Sequence, residues 1–332
     1  MSETTTNNDR RTSPPLFRVA ALALFFSVVL ACTIHLPVSL AQTNAFNSTG
    51  STLVYIAESE NQQLNQRIRT LLASALGDSV MLDSFTAGQT SQDSESTVIA
   101  IGPGAFTRIR EENKRVPVLG LLVDKAYVNV SAGDPDSKVS AVLSTQPLIR
   151  QAAIGKAILP YATRVAMLAT PDTEQLYAPV MADLDDLGME GRVFLVPSEG
   201  RLISTLIRAL NYGDFVLAAP DSAIYNPRTI KHILLTAYRR NRIVIGPSQA
   251  YVKAGSLASS FTPLSAAVEM AAEYIRYFQE TGEFPEPDYP ADFGVEINHQ
   301  VGRSLNIPLP ERETLINDVK QRLDTVEVPE NE

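Results

Sequence analysis

One stretch, from Asp214 to Phe261, constrains the fold more than any other part of the chain. Phe215 to Ala219 is a short apolar run, long enough for a buried strand and too short for a helix. A helical pattern follows, with Asn226 as its predicted N-cap, and a second apolar run covers Ile243 to Ile245. Because a strand, a helix and a strand in this order form a crossover unit, the two strands are expected to be parallel neighbours.

The ends of these two runs indicate where a ligand would bind. The first run breaks at Pro220-Asp221 and the second at Gly246-Pro247-Ser248, both loop signals. In parallel sheets, ligands collect at the loops that leave the carboxyl ends of the strands. Asp221, Ser248 and Gln249 are therefore candidate ligand-binding residues.

The rest of the chain alternates short apolar runs with helical patterns. The predicted strands are 53–57, 80–85, 98–101, 116–123, 128–130, 139–143, 164–169, 192–196 and 293–297. Predicted helices include 105–113, 148–159, 173–187, 201–210 and 263–281. Alternation of this kind predicts an α/β fold with parallel sheets covered on both faces, and a length of 332 residues suggests two lobes.

Loops after the first predicted strands carry a second set of candidates. Ser59 follows the first strand, Gly102 and Gly104 follow the strand 98–101, and Asp124 follows the strand 116–123. The Gly-Pro-Gly turn lacks the third glycine of a dinucleotide fingerprint and the lysine of a P-loop. A tight turn is the simpler interpretation, although backbone N–H groups at that helix start also suit a carboxylate or another anion. Asp124 and Asp221, one per lobe, suit an ammonium group or a turn position.

The first 41 residues have the layout of a secretory signal peptide. Arginines precede an apolar run at 19–34, and Ser39-Leu40-Ala41 places small residues at the −3 and −1 positions of a cleavage site before Gln42. A flexible lead-in, 42–50, would follow. Lipid attachment at Cys32 is the second choice after a cleaved signal peptide. An uncleaved membrane anchor is a further alternative, which is disfavoured because the apolar run is shorter than the ~20 residues that span a bilayer.

Composition and motifs exclude several classes of function. The formal net charge is −9 and no basic patch stands out, so nucleic acid is not expected as a partner. Neither a nucleophile elbow nor an H-E-x-x-H motif occurs, and beyond the signal segment the only histidines are His232 and His299. We therefore expect no catalytic residues, no metal site and no cofactor, and do not expect an enzyme.

Several segments resemble one known family. They include Pro-Asp-Ser-Ala-Ile-Tyr-Asn from Pro220, Val-Ile-Gly-Pro-Ser-Gln-Ala-Tyr from Val244, Asp-Phe-Gly-Val-Glu-Ile-Asn from Asp292, and Gln-Pro-Leu-Ile-Arg-Gln from Gln146. Between about 143 and 310 the chain resembles the substrate-binding proteins of ABC-type transporters, in particular the relatives of aromatic amino-acid binders. The first-lobe turns at Gly102 and Asp124 depart from that family's usual pattern, which leaves the identity of the ligand open.

The resemblance implies the type I periplasmic binding protein architecture, in which three chain crossings join two Rossmann-like lobes around an inter-lobe ligand cleft. On this basis 51–143 and 262–284 form the first lobe and 144–261 and 285–325 the second, with a tail at 326–332. The linker 284–290 contains three prolines and is expected to be stiff and extended.

The expected function is that of an exported, periplasmic and monomeric solute-binding protein that closes around a small molecule and delivers it to a membrane permease. Amino acids, peptide-like amines and nucleosides all remain open as ligands. A periplasmic sensing subunit for a membrane receptor would use the same fold, and a secreted α/β enzyme is a further alternative. The effector lobe of a transcription regulator is disfavoured by the predicted signal peptide.

Overall fold

A computed structural model describes residues 52–86, 96–125, 127–128 and 138–327. The predicted signal peptide, the lead-in at 42–50 and the last residues of the tail lie outside these ranges. Val128 was predicted to begin a strand; that prediction is wrong, because Val128 lies in a helical turn, while residues 129–130 of the same prediction lie outside the described ranges. Within the described residues, no helix is both long and apolar enough to cross a membrane.

The first sheet contains five parallel strands in the order β2-β1-β3-β4-β5. They are β1 (Thr52–Ala57), β2 (Val80–Ser84), β3 (Thr97–Ile101), β4 (Val118–Val123) and β5 (Val139–Leu143). All five were predicted from apolar runs, which are typical of strands buried on both faces.

The second sheet contains six strands in the order β11-β10-β9-β8-β6-β7. They are β6 (Arg164–Ala169), β7 (Glu190–Leu195), β8 (Phe215–Leu217), β9 (Ile243–Ile245), β10 (Ala258–Phe261) and β11 (Gly294–Ile297). β8 and β9 are parallel neighbours, as predicted from the stretch around them. Only β11 is antiparallel, and it pairs with β10 at the edge.

The α-helices follow the chain as α1 (Gln62–Leu76), α2 (Gly102–Glu112), α3 (Leu148–Ile158), α4 (Ala178–Asp183), α5 (Leu202–Tyr212), α6 (Ile230–Tyr238), α7 (Gln249–Ala254), α8 (Leu264–Thr281), α9 (His299–Ser304) and α10 (Arg312–Glu327). Helix α1 shows how local sequence sets the bounds. The Asn61 side chain accepts a hydrogen bond from the Leu64 N–H at 3.1 Å, and Gly77 ends the helix at φ +67°.

Both sheets are covered on both faces. Helices α1 and α8 pack on one face of the first sheet and α2 on the other. Helices α3, α4 and α10 cover one face of the second sheet, and α5 and α6 cover the other. Helix α8 thus follows β10 of the second sheet in sequence but packs on the first sheet, and β11 then returns to the second sheet.

Two predicted helices differ from the structure. The helix predicted at 173–187 is divided into a 3-10 turn (Glu174–Tyr177), α4 and a second 3-10 turn (Asp185–Leu187). Asn226 is not an N-cap, since α6 begins at Ile230. Its side-chain oxygen instead accepts from the N–H groups of Arg228 and Thr229 at 3.0 and 3.3 Å, which closes a turn ahead of the helix.

The linker 284–290 lies along the edge of the first sheet. Asp288 makes a parallel bridge with Val142, and its carbonyl accepts from the Leu143 N–H at 2.9 Å. The buried Ser140 hydroxyl donates to the Pro285 carbonyl at 2.6 Å. The stiff linker therefore acts as an additional edge segment beside β5.

Candidate functional site

The first-sheet candidates lie together at the carboxyl ends of the strands, because they follow adjacent strands. Ser59 comes after β1, Gly102 and Gly104 after β3, and Asp124 after β4, and these three strands are neighbours in the order β1-β3-β4. Strand order reverses between β1 and β3, since β2 lies on the far side of β1. Ligands in doubly wound sheets bind at such a reversal point, outside the carboxyl ends of the strands.

Ser59 has a structural role at this edge. Its hydroxyl donates to the Asn65 side-chain oxygen at 2.7 Å, and its carbonyl accepts from the Asn65 amide at 2.8 Å. The hydroxyl also accepts from the Asn61 N–H at 3.2 Å. These bonds fix the loop that leads from β1 into α1, so the Ser59 hydroxyl is largely engaged.

Gly102 and Gly104 form the first turn of α2, which begins three residues earlier than predicted. Gly102 has φ +79°, a conformation that side chains rarely adopt, which explains why glycine follows β3 directly. No side chain caps this helix start. A Cβ added at Gly104 would meet no atom within 4 Å, so the space in front of this turn is open.

Asp124 is half-buried where the first crossing leaves the sheet. Its Oδ1 accepts from the Ser144 hydroxyl at 2.8 Å, and the Ser144 N–H donates to the Val123 carbonyl at 3.0 Å. The Asp124 charge also contributes to raising the pKa of Tyr289, after burial as the main cause. Asp124 thus lies beside both the first crossing and the end of the linker.

Among the second-sheet candidates, Asp221 is buried and already engaged. It is 3% exposed. Its Oδ2 accepts from the Thr173 hydroxyl at 2.6 Å and its Oδ1 from the Ala223 N–H at 2.8 Å. Because Thr173 lies in the loop after β6 and Asp221 in the loop after β8, this carboxylate joins the two loops at the reversal point of the second sheet.

Ser248 and Gln249 lie at the start of α7, after β9, and both are half-buried. Ser248 occupies the N-cap position without making a capping bond through its side chain. Gly246, just before them, approaches its neighbours closely: an added Cβ would lie 2.7 Å from the Ser256 Oγ and 2.8 Å from the Tyr251 Cβ. The chain can therefore turn out of β9 here only with glycine.

A cluster of three tyrosines supports the loops of the second sheet and was not predicted. The Tyr177 hydroxyl donates to the Leu168 carbonyl and accepts from the Ala219 N–H, each at 3.0 Å. The Tyr251 hydroxyl donates to the Tyr225 carbonyl, and their rings meet edge to face. Burial is the main cause that raises the pKa of Tyr177 and of Tyr225 above the ordinary value for tyrosine.

A cavity of about 400 Å³ opens beside this cluster at the carboxyl ends of β6 and β7. Its lining includes Thr170, Pro171, Asp172, Ser198, Glu199 and Ala223. None of these residues was among the sequence candidates, although Thr-Pro-Asp-Thr after the predicted strand 164–169 is the same kind of loop signal as Pro-Asp after 215–219. The polar lining consists of hydroxyls and carboxylates.

The structure brings the candidates together in two sets. Ser59, Gly102, Gly104 and Asp124 share one edge, and Asp221, Ser248 and Gln249 share another. Among the described residues, no group of His, Cys, Asp or Glu side chains has the arrangement of a metal site. The candidate residues at the carboxyl ends of the two sheets can form hydrogen bonds and supply negative charge.

Comparisons with known proteins address the fold. No protein-family model matches the chain, and no curated protein matches it. Among solved structures, the ligand-free, open structure of a substrate binding protein with adhesive properties from Clostridium difficile is similar with a TM-score of 0.62 and 14% identity, over 79% of this chain and 97% of that one.

Two further structures have a TM-score of 0.50 and 16% identity, over 81% of this chain and 98% of theirs. They are a conserved domain protein from Vibrio cholerae and an ABC domain in complex with L-Trp from Streptococcus pneumonia. At this level of identity the likeness concerns architecture. The chain has the α/β fold of the type I periplasmic binding proteins, with two sheets that are parallel except for β11, as the sequence resemblance implies.

Proposed function

We propose that this protein is an exported solute-binding protein that holds a small molecule between its two lobes and delivers it to the permease of an ABC-type transporter. One observation carries the proposal: the carboxyl edges of both sheets lead directly into the segments that join the lobes. The first crossing leaves the end of β5 and the second leaves the end of β10. The carboxyl ends of both sheets, where the candidate residues lie, are therefore adjacent to the proposed hinge.

Hinge closure explains how such an arrangement would bind. A solute that contacts both edges binds the closed state more tightly than the open state and so shifts the population towards closure. A dissociation constant near ~1 μM corresponds to about −8 kcal/mol, which several hydrogen bonds to one enclosed small molecule can supply. Binding of this kind requires no reactive group.

The linker contacts favour slightly different lobe boundaries from those expected. We assign 51–143 and 262–288 to the first lobe and 144–261 and 289–325 to the second, because residues up to Asp288 bond to β5. This moves the third crossing a few residues beyond the boundary expected from the resemblance.

Within the predicted site, the residues would act in different ways. The open turn at Gly102 and Gly104 and the side chains of Asp124, Ser248 and Gln249 would contact the solute. Ser59 and Asp221 would position the loops, since their polar atoms already bond to neighbours. The protein would act as a monomer after removal of residues 1–41, without a cofactor.

A thermal-shift screen tests the proposal. Amino acids, small amines and nucleosides are added separately to the purified protein. A true ligand at about 100 times its dissociation constant adds about 2.7 kcal/mol to the free energy of unfolding, which raises the melting temperature. Gln249→Ala should reduce that shift, while Gln66→Ala on the exposed face of α1 should leave it intact.

Two outcomes would contradict the proposal. A ligand that is chemically converted during incubation would indicate an enzyme. A ligand whose thermal shift is insensitive to Asp124→Asn, Ser248→Ala and Gln249→Ala alike would bind away from the two strand edges.

A further inference from the structure

Three segments of chain connect the two sheets. The first crossing, 144–147, joins β5 to α3, and the second, 262–263, joins β10 to α8. The third, 289–293, joins the part of the linker that bonds to β5 with β11. The positions of the two lobes relative to one another depend on how these three segments bend.

A single chain of side-chain hydrogen bonds touches all three crossings. The Gln146 amide nitrogen, in the first crossing, donates to the Thr262 hydroxyl oxygen, in the second, at 2.6 Å. Arg150, in the first turn of α3, donates from Nη1 to the Gln146 side-chain oxygen at 3.0 Å. Its Nη2 donates to the Pro290 carbonyl, in the third crossing, at 3.2 Å.

The two central side chains are buried, at 8% exposure each. The Arg150 guanidinium also lies over the Phe293 ring, 4.5 Å from its centre, which anchors the guanidinium next to β11. A buried polar group that loses its partner is costly, so a bend in one crossing that broke these bonds would be opposed unless the other crossings moved with it.

We propose that Gln146 and Arg150 are positioning residues that make the three crossings turn together, so that the lobes move about one hinge axis. Coupled crossings would restrict the ligand-free protein to a narrow range of lobe angles. The inference rests on the proposed function, because this restriction serves closure around a solute. Neither residue needs to touch the solute. Preorganisation of this kind reduces the entropy lost on closure.

The test measures lobe separation without any ligand, so its outcome is independent of whether a solute is ever found. Spin labels are attached to Glu111→Cys on α2 and Arg208→Cys on α5, both exposed, in the full chain with Cys32→Ser. Pulsed electron paramagnetic resonance then gives the distribution of distances between the labels. We expect Gln146→Leu and Thr262→Val to broaden that distribution relative to the parent.

Matched variants separate coupling from general destabilisation. Thr262→Ser keeps the accepting hydroxyl and should retain the narrow distribution of the parent. Thr236→Val removes a hydroxyl that bonds to the His232 carbonyl within α6, and should also leave the distribution narrow. If Gln146→Leu does not fold, the pair Thr262→Val and Thr262→Ser decides alone. Distributions of equal width for Thr262→Val and Thr262→Ser would overturn the inference.

Discussion

At the scale of single residues, the buried polar groups near the strand ends mainly hold loops in place. Asp221 illustrates this, because both of its carboxylate oxygens accept hydrogen bonds from the protein itself. An aspartate at the carboxyl end of a strand is thus compatible with two roles, ligand contact and loop closure, which its position in the sequence does not separate.

The Tyr177 hydroxyl should stabilise the loops of the second sheet. Tyr177→Phe leaves the Leu168 carbonyl and the buried Ala219 N–H without this partner. We expect a loss of about 1–3 kcal/mol in the free energy of unfolding, measured by urea denaturation. Tyr238→Phe, at an exposed tyrosine on α6, is the control and should change little. Equal stability of the two variants would contradict the structural role of the Tyr177 hydroxyl.

Ionisation of Tyr274 should lower the free energy of unfolding in alkali. Burial, together with Asp288, Glu273 and Glu286, raises the pKa of Tyr274 to about 12 from 10.0. Since the folded state keeps the proton that the unfolded state releases, this contribution is fully present below about pH 10 and is lost as the pH rises towards 12. Urea midpoints at about pH 8 and about pH 11 should therefore differ more in the parent than in Tyr274→Phe. An identical alkaline loss in both proteins would refute this assignment.

At the scale of elements, most strands were easier to predict than helix boundaries. Most strands buried on both faces are continuous apolar runs, and this signal is local. β10 was not predicted, because its sequence Ala-Ser-Ser-Phe contains two buried serines. The region 173–187 was harder, because its apolar spacing fits one long helix while the packed structure divides it with two 3-10 turns around α4. The turn around Asn226 was mistaken for a cap, because an asparagine side chain accepts hydrogen bonds from backbone N–H groups in both a turn and a helix cap.

Helix α3 should not tolerate a larger residue at Gly155, where it crosses β8. A Cβ added at Gly155 would lie 2.4 Å from the ring of Phe215, which is fully buried. Gly155→Ala must displace the helix or the ring, so we expect a loss of about 1–3 kcal/mol in the free energy of unfolding. Gly200→Ala, where nothing lies within 4 Å, is the matched control and should be neutral or slightly stabilising. Comparable urea midpoints for the two variants would show that the helix or the Phe215 ring can move aside at little cost in stability.

At the scale of the whole molecule, neither lobe is a continuous stretch of chain. Helix α8 supplies buried residues to the first-sheet core, and β11 and α10 supply them to the second. Both cores therefore depend on chain that follows Phe261.

A chain that stops at Phe261 should consequently lack a cooperative thermal transition, because it loses α8 from one core and β11 from the other. A chain that begins at Thr49 should keep it, since it retains every described strand and helix of both cores. Calorimetry or circular dichroism compares the two. A sharp melting transition in the shorter chain would mean that its cores form without the residues that follow Phe261.

The sequence by itself determined the α/β class, the parallel pairing around β8 and β9, and which loops follow the carboxyl ends of the strands, because each depends on patterns a few residues long. Only the tertiary structure decided which of those loop residues already bond to the protein itself. Asp221 is engaged by Thr173, 48 positions earlier in the chain, and Gln146 is bonded to Thr262, 116 positions away. Contacts of that separation arise only when the strands take their order in the sheet, so no local pattern encodes them.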